Sequence, residues 1–328
     1  MTEPAISIAC QSPGLDASGF DVIVTLPTFR RPGQLLETLR SLKNQETALR
    51  FAVIVMDNDA ERREGATAAL PVFQSGEMKG LVILAHQRGN CFAYNAGWET
   101  AMSRFSDFSH IAVIDDDEIA SPAWLASLAA TAERYHADIV GGPQIPVFPE
   151  GADSRWRDHP VFLPPYEATG PVQALYSSGN LLIARDVLAR MPKPYLDPQF
   201  NFIGGGDSDF LSRCKISGMR LAWCAEAEIH EAVPERRLEA DWVRARAQRN
   251  GMISTLVEQR KRANEPLGRI RVLSKSLALL AAAPLRSLVR LGQAQSMSIA
   301  SYPLHVAIGR VMGELGMFHE QYRQPEKN

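Results

Sequence analysis

Cysteine is scarce in this 328-residue chain: Cys10, Cys91, Cys214 and Cys224 form no CxxC pair and no metal-ligand spacing. A thiolate metal site and a disulfide framework are thereby excluded, and four reduced, buried thiols are expected, as in a cytoplasmic protein. Neither sign of charge dominates, because 35 Lys/Arg against 37 Asp/Glu leave a net charge of −2. The balance supplies no footprint for a nucleic-acid partner. Uninterrupted apolar runs of the ~20 residues that a bilayer span requires are missing. The window between Lys275 and Arg286 is too short, and the longer uncharged stretch from Leu291 to Gly309 is broken by Gln293, Gln295, His305 and several serines. The N-terminus shows no basic segment followed by an apolar core, so no secretory leader is expected. GxGxxG and Walker A fingerprints are also missing, which disfavours dinucleotide-binding enzymes and P-loop NTPases. No internal repeat is visible.

With 45% hydrophobic residues, the chain has enough apolar mass for one large core and an appendage. Four short β-branched runs, Asp21–Leu26, Phe51–Met56, Leu81–Ala85 and Ile111–Ile114, alternate with segments of helical period. The first of those helices starts at Pro32 with Leu35, Leu36, Leu39 and Leu42 on one face; others are expected at 61–70, 95–105 and 123–135. This alternation predicts βαβ units around a buried, mostly parallel, doubly wound sheet. Residues 1–20 read as a disordered lead-in, 21–235 as the α/β domain and 236–328 as a basic, amphipathic helical C-terminal region. Between Arg236 and Arg290 there are 13 Lys/Arg against 4 Asp/Glu. With the leucines between those cations, such a tail suits either packing on the core or peripheral contact with an anionic membrane.

The chemistry concentrates where strands end. Asp115-Asp116-Asp117-Glu118 follows the run ending at Ile114, and adjacent carboxylates repel unless a proton or a cation lies among them. Hard oxygen ligands suit Mg²⁺ or Mn²⁺, and strand C-termini are where open α/β sheets bind ligands. The first strand runs into Pro27-Thr28-Phe29-Arg30-Arg31, a helix N-terminus with two cations that suits an anion. Asp57 and Asp59 follow the second strand, where they either contact a nucleoside or close an Asx turn. Asn95 either holds a ribose or caps its helix. A second acidic group, Gly204-Gly205-Gly206-Asp207-Ser208-Asp209, opens a helix, with one carboxylate available as general base and the other as support. His230, after a further strand, is a candidate third metal ligand. The irregular, Pro-rich stretch 141–171 carries Phe148, Trp156, Phe162 and Tyr166, the composition of a substrate lid.

Taken in order, VTLPTFRRP, VIVMDNDAER, RGNCFAYNAG, IAVIDDDEIASPAWL, SSGNLL, GGGDSDFLSR and IHEAVPERR resemble glycosyltransferase family 2 over about residues 21–250. The likeness is to the inverting enzymes of the GT-A fold, in particular those of bacterial exopolysaccharide synthesis. It implies a nucleotide-diphosphate sugar donor such as a UDP-sugar, a divalent cation (Mn²⁺ or Mg²⁺), and a saccharide or polyprenyl-diphosphate-linked acceptor. Carried over residue by residue, Pro27, Thr28, Phe29, Arg31, Asp57, Asn95, Asp115 and Asp116 serve the donor. Asp117, Asp115 and His230 hold the metal, and Asp207 is the base. Asp209, Trp156 and Asn180 support it or meet the acceptor. Two departures from the pattern stand out: Gly206 where the family usually has Glu, and Tyr94 where it usually has Arg. A nucleotidyltransferase and a catalytically idle sugar-nucleotide-binding subunit are the competing readings.

Overall fold

The computed structural model describes residues 5–294, 296–318, 320 and 323. The expected strands and helices of the N-terminal half are β2 (Val22–Thr28), α1 (Pro32–Lys43), β3 (Phe51–Asp57), α2 (Glu64–Gln74), β4 (Gly80–Ala85), α3 (Asn90–Arg104), β5 (His110–Ile114) and α4 (Trp124–Tyr135). They form parallel ladders in the order β4-β3-β2-β5. Every residue of β2 and β4 is buried, so these strands read as continuous apolar runs. Alternation then splits β3 between two layers. Ile54 and Met56 pack beneath α3 with Trp98 and Phe105, while Val53 and Val55 face Leu35, Leu39 and Phe73 of α1 and α2. Burial of each such side chain stabilises by about 1.5–3 kcal/mol.

The disordered lead-in is corrected. Residues 1–4 lie outside the described residues, but Ile6–Gln11 form β1, which pairs antiparallel with β4 and covers the sheet edge. The alternating Ile6, Ile8 and Cys10 were too few to stand out as a strand. Past β5 the sheet becomes mixed. It continues through β10 (Asn180–Ala184), β7 (Ile139–Gly141), β11 (Leu221–Trp223) and β9 (Gly170–Val172), of which only β7 and β11 are parallel neighbours. Helix α5 (Arg185–Arg190) follows β10, and α6 (Gly206–Ile216) precedes β11. A second sheet, β6 (Glu118–Ala120), β12 (Ile229–Ala232) and β8 (Gln144–Val147), sits directly after the acidic turn.

The C-terminal region is helical, as expected: α7 (Ala240–Lys261), α8 (Gly268–Ala294) and α9 (Met297–Glu314). Helix α7 packs against α6 and α9, and α8 against α9. Glu258 ties the three together, accepting from Arg310 at 2.9 Å and from Lys275 at 2.9 Å. The region is therefore not a detached tail, and its first helix forms part of the cleft described next.

Candidate active site

A cleft of about 1040 Å³ opens at the C-terminal ends of β2 and β5 and runs toward α7. One wall is the loop Pro27, Thr28, Phe29 and Arg31; its floor is Asp115, Asp116 and Asp117; Asp207 projects from the opposite side. Chain topology brings these segments together because parallel β2 and β5 are adjacent and end at the same edge.

The acidic turn is held by partners of several kinds. Asp116 is buried and accepts from the Thr28 hydroxyl (2.8 Å), the Phe29 amide (3.3 Å) and Arg31 (3.2 Å). Arg31 also pairs with Asp117 at 2.6 Å. Glu118 accepts from the Asp115 amide at 2.7 Å and from the Gln144 side chain. Thr38 of α1 lies within 2.8 Å of the Glu118 carbonyl and 3.1 Å of the Asp116 carbonyl, fixing the turn to the helix. Burial, and then the neighbouring carboxylates, push Asp115 up to about 7. Burial pushes Asp116 up to about 6 despite Arg31, and holds Glu118 well above the usual carboxyl range. The cluster thus has a strong affinity for positive charge. Tyr94, the departure from the family pattern, is buried and donates its hydroxyl to Asp115, so a neutral donor stands where a cation was expected.

No cluster of three or more His, Cys, Asp or Glu that could hold a metal occurs among the described residues. The donor set nevertheless fits a hard divalent ion of the kind that takes one or two carboxylates from protein and the rest from phosphate and water. His230 does not belong to that set. In β12 it pairs across from Ile119, which is 36% exposed, whereas Glu231 pairs with buried Glu118. Alternation therefore sends Glu231 into the cleft, where Arg237 pairs with it, and leaves His230 outside, 3.7 Å from Glu228.

Asp207 sits in the first turn of α6, accepting from the amides of Ser208 (2.7 Å) and Ser178 (3.2 Å). The glycines before it have separate causes. Gly204 and Gly205 take positive φ (81° and 92°), and a Cβ on Gly206 would meet the Cys91 Sγ at 2.8 Å. Burial raises the Asp207 carboxyl above its usual range, opposed by those two amides and by the charge of Arg246 from α7. An ionisable group tuned upward beside open space has the properties of a general base.

Three further expected site residues, Asp57, Asn95 and Trp156, do not line the cleft. Asp57 is fully buried and caps α2, accepting from the Ala66 amide (2.7 Å) and the Asp59 amide (3.0 Å), because its place in β3 points it to the α1–α2 layer. Asn95 exchanges hydrogen bonds with the Leu196 backbone (2.8 and 2.9 Å); α3 starts at Asn90, which turns residue 95 into the core. Trp156 stands behind the cleft, its ring centroid 5.5 Å from that of His159 and 6.1 Å from that of Phe162. The aromatic wall is instead Phe162 stacked on Trp242 of α7, with centroids 6.3 Å apart and planes at 4°. Asn180 touches the cleft, but its amide is taken up by Trp124 (2.8 Å) and the carbonyls of Pro143 and Ala227 (3.0 and 2.7 Å). Asp209 is buried between Arg213 (2.8 Å) and Arg260 (3.0 Å) and so supports α6.

The sheet order, the acidic turn at its edge and Asp207 in the same cleft are the arrangement that the resemblance to the GT-A fold implies. The family model for glycosyl transferase family 2 matches residues 23–190, about half of the chain, and the chain belongs to that family. It is 33% identical over 231 residues to the succinoglycan biosynthesis protein ExoM of Rhizobium meliloti, covering 68% of this chain and 71% of that protein. A 112-residue segment is 31% identical to the hyaluronan synthase of Pasteurella multocida, covering 34% of this chain and 11% of that one. Among solved structures, the mannosyltransferase PcManGT of Pyrobaculum calidifontis, in complex with GDP-Man and Mn²⁺, superposes with a TM-score of 0.57 at 14% identity over 92% of this chain and 89% of its own.

Proposed function

We propose that this glycosyltransferase moves a sugar, with inversion, from a nucleotide-diphosphate donor to a hydroxyl of a saccharide or polyprenyl-diphosphate-linked saccharide. The observation that carries the reading is the placement of Asp207 in the same cleft as the Asp115–Asp117 turn. An acceptor oxygen attacks the anomeric carbon as the bond to the diphosphate breaks. Its proton passes to the Asp207 carboxylate, and the nucleoside diphosphate leaves. The nucleotide lies along Pro27, Thr28, Phe29 and Arg31, with a UDP-sugar as the first candidate. Asp117, aided by Asp115, would hold a Mn²⁺ or Mg²⁺ ion, which supplies positive charge to the leaving diphosphate. Arg31 would add a fixed cation beside it.

The likeness to ExoM favours work in bacterial surface or exopolysaccharide synthesis, and the basic, amphipathic C-terminal helices favour a place at the cytoplasmic face of the membrane in peripheral contact with it. An idle sugar-nucleotide-binding subunit needs neither a tuned carboxylate nor an open path to it, and both are present. The test is a thermal-shift panel of nucleoside diphosphates and their sugars, with and without Mn²⁺. Stabilisation by one nucleotide class only with metal supports the proposal, since a ligand of the native state raises apparent stability by mass action. A panel without any shift would overturn the donor assignment.

A further inference from the structure

Helix α8 leaves a row of large apolar side chains uncovered. Ile270, Leu273, Leu277, Leu285, Leu288 and Val289 are 42–71% exposed. At about 100° per residue they fall within a sector of roughly 160°, an apolar stripe rather than scattered exposure. By the same rotation Arg271, Lys275 and Arg286 follow one edge of that sector within about 60°, Arg290 falls on the opposite side of the helix, and the helix contains no Asp or Glu.

Its inner side is fixed to the bundle. Val272, Ser276 and Ala283 are buried; Ser276 donates to Glu314 at 3.0 Å and Lys275 pairs with Glu258 at 2.9 Å. The stretch Gly268–Gly292 is long enough to cross a bilayer, with a mean hydropathy of 1.4 and 17% of it buried. Crossing would carry those polar contacts into hydrocarbon, at several kcal/mol for each group left unsatisfied. A second copy of the chain on this face would set the cations of two such helices against each other, with only Glu265 (3.1 Å from Arg271) and Glu258 (2.9 Å from Lys275) to offset them. An anionic lipid surface meets both the leucines and the arginines.

We infer that α8 is an in-plane docking face for an anionic bilayer. Lys275, Lys261 and Arg262 line the far end of the cleft. Docking on α8 therefore sets that basic end against the lipid headgroups, on the side from which a lipid-linked acceptor enters. This orientation deepens the proposed transfer reaction and rests on it, whereas the docking itself does not.

The test is flotation of the full chain with phosphatidylcholine vesicles, with and without phosphatidylglycerol. Binding to the anionic vesicles is expected, weakened by salt, and reduced at least tenfold in Leu285→Glu/Leu288→Glu. Both leucines are about 70% exposed (69% and 71%), so the variant keeps its melting temperature. Arg271→Gln/Arg286→Gln loses the preference for the anionic vesicles. Failure of the parent chain to float, an unchanged Leu variant, or a dimer in light scattering that the Leu variant dissolves would each overturn the inference. Nucleotide-induced thermal shifts in the Leu variant read the donor site separately. If they vanish from parent and variant alike while flotation persists, the transferase reading fails and the docking face stands.

Discussion

Replacing Asp207 with Asn separates chemistry from binding. The side chain keeps its shape and place at the start of α6 but can no longer accept a proton. A positioned general base contributes about 10²–10⁴ in rate, or roughly 3–5 kcal/mol of activation free energy. The carboxylate now receives one amide on each oxygen, from Ser208 at 2.7 Å and Ser178 at 3.2 Å. Asn retains one acceptor and turns an NH₂ toward the other amide, a loss of about 1–3 kcal/mol in stability. The expected outcome is transfer slowed by two to four decades, donor affinity within threefold, and a lowered melting temperature. Rate is read as nucleoside diphosphate released in the presence of acceptor, and donor affinity by calorimetry. The parent rate should also fall on acidification through the raised Asp207 pKa, because only the carboxylate accepts the proton, and the variant should lack that limb. Near-parent turnover in Asp207→Asn would refute the assignment of the base; loss of donor binding would refute the separation of roles.

Asp117→Ala should abolish the metal-dependent part of donor binding while leaving the fold intact, and calorimetry showing parent-like affinity in Mn²⁺ would count against the metal assignment. Trp242→Ala removes half of the stacked wall, so acceptor KM should rise about tenfold at unchanged donor affinity; a shift in donor affinity instead would place the wall on the donor side. His159 is fully buried against Tyr302 and bonded to Ser298, and burial holds its pKa down to about 4. The unfolded chain therefore binds a proton near pH 6.5 that the folded one does not. Stability from this group is complete above about 6.5 and lost between there and about 4, on the order of 3 kcal/mol in all. Denaturant titrations at pH 7.5 and 5 should show a smaller pH difference in His159→Gln, and an equal one would contradict the assignment.

The parallel half of the sheet was legible because its strands are buried on both faces and so appear as continuous apolar runs. The antiparallel half was less so, because β7, β9, β10 and β11 are only three to five residues long and carry no visible alternation. The acidic turn, Arg31 and Asp207 were legible because strand ends and helix starts place side chains at one edge. What failed depended on parity or register. A helix start five residues early rotated Asn95 inward, and the pairing of Glu231 with Glu118 settled which side of β12 faces the cleft. Trp242, Arg246 and Arg237 were hidden for another reason. Their segment looks like an amphipathic tail, and nothing local says that it folds back over Asp207.

The acidic turn also indicates what the fold alone does not explain. Folding raises Asp115 to about 7 and Asp116 to about 6, from an ordinary value of 3.8. Below about pH 4 both states are protonated; above it the unfolded chain ionises freely while the folded one resists until pH 6–7. Stability supplied by these two carboxyls is thus present in acid and lost as the pH rises toward neutrality. Arg31 and Tyr94 offset part of the cost, but a core built for stability would place neither four acids in sequence nor a third carboxyl layer at Glu231. Such a turn is intelligible as a site in which positive charge brought by a ligand relieves strain the chain itself leaves in place.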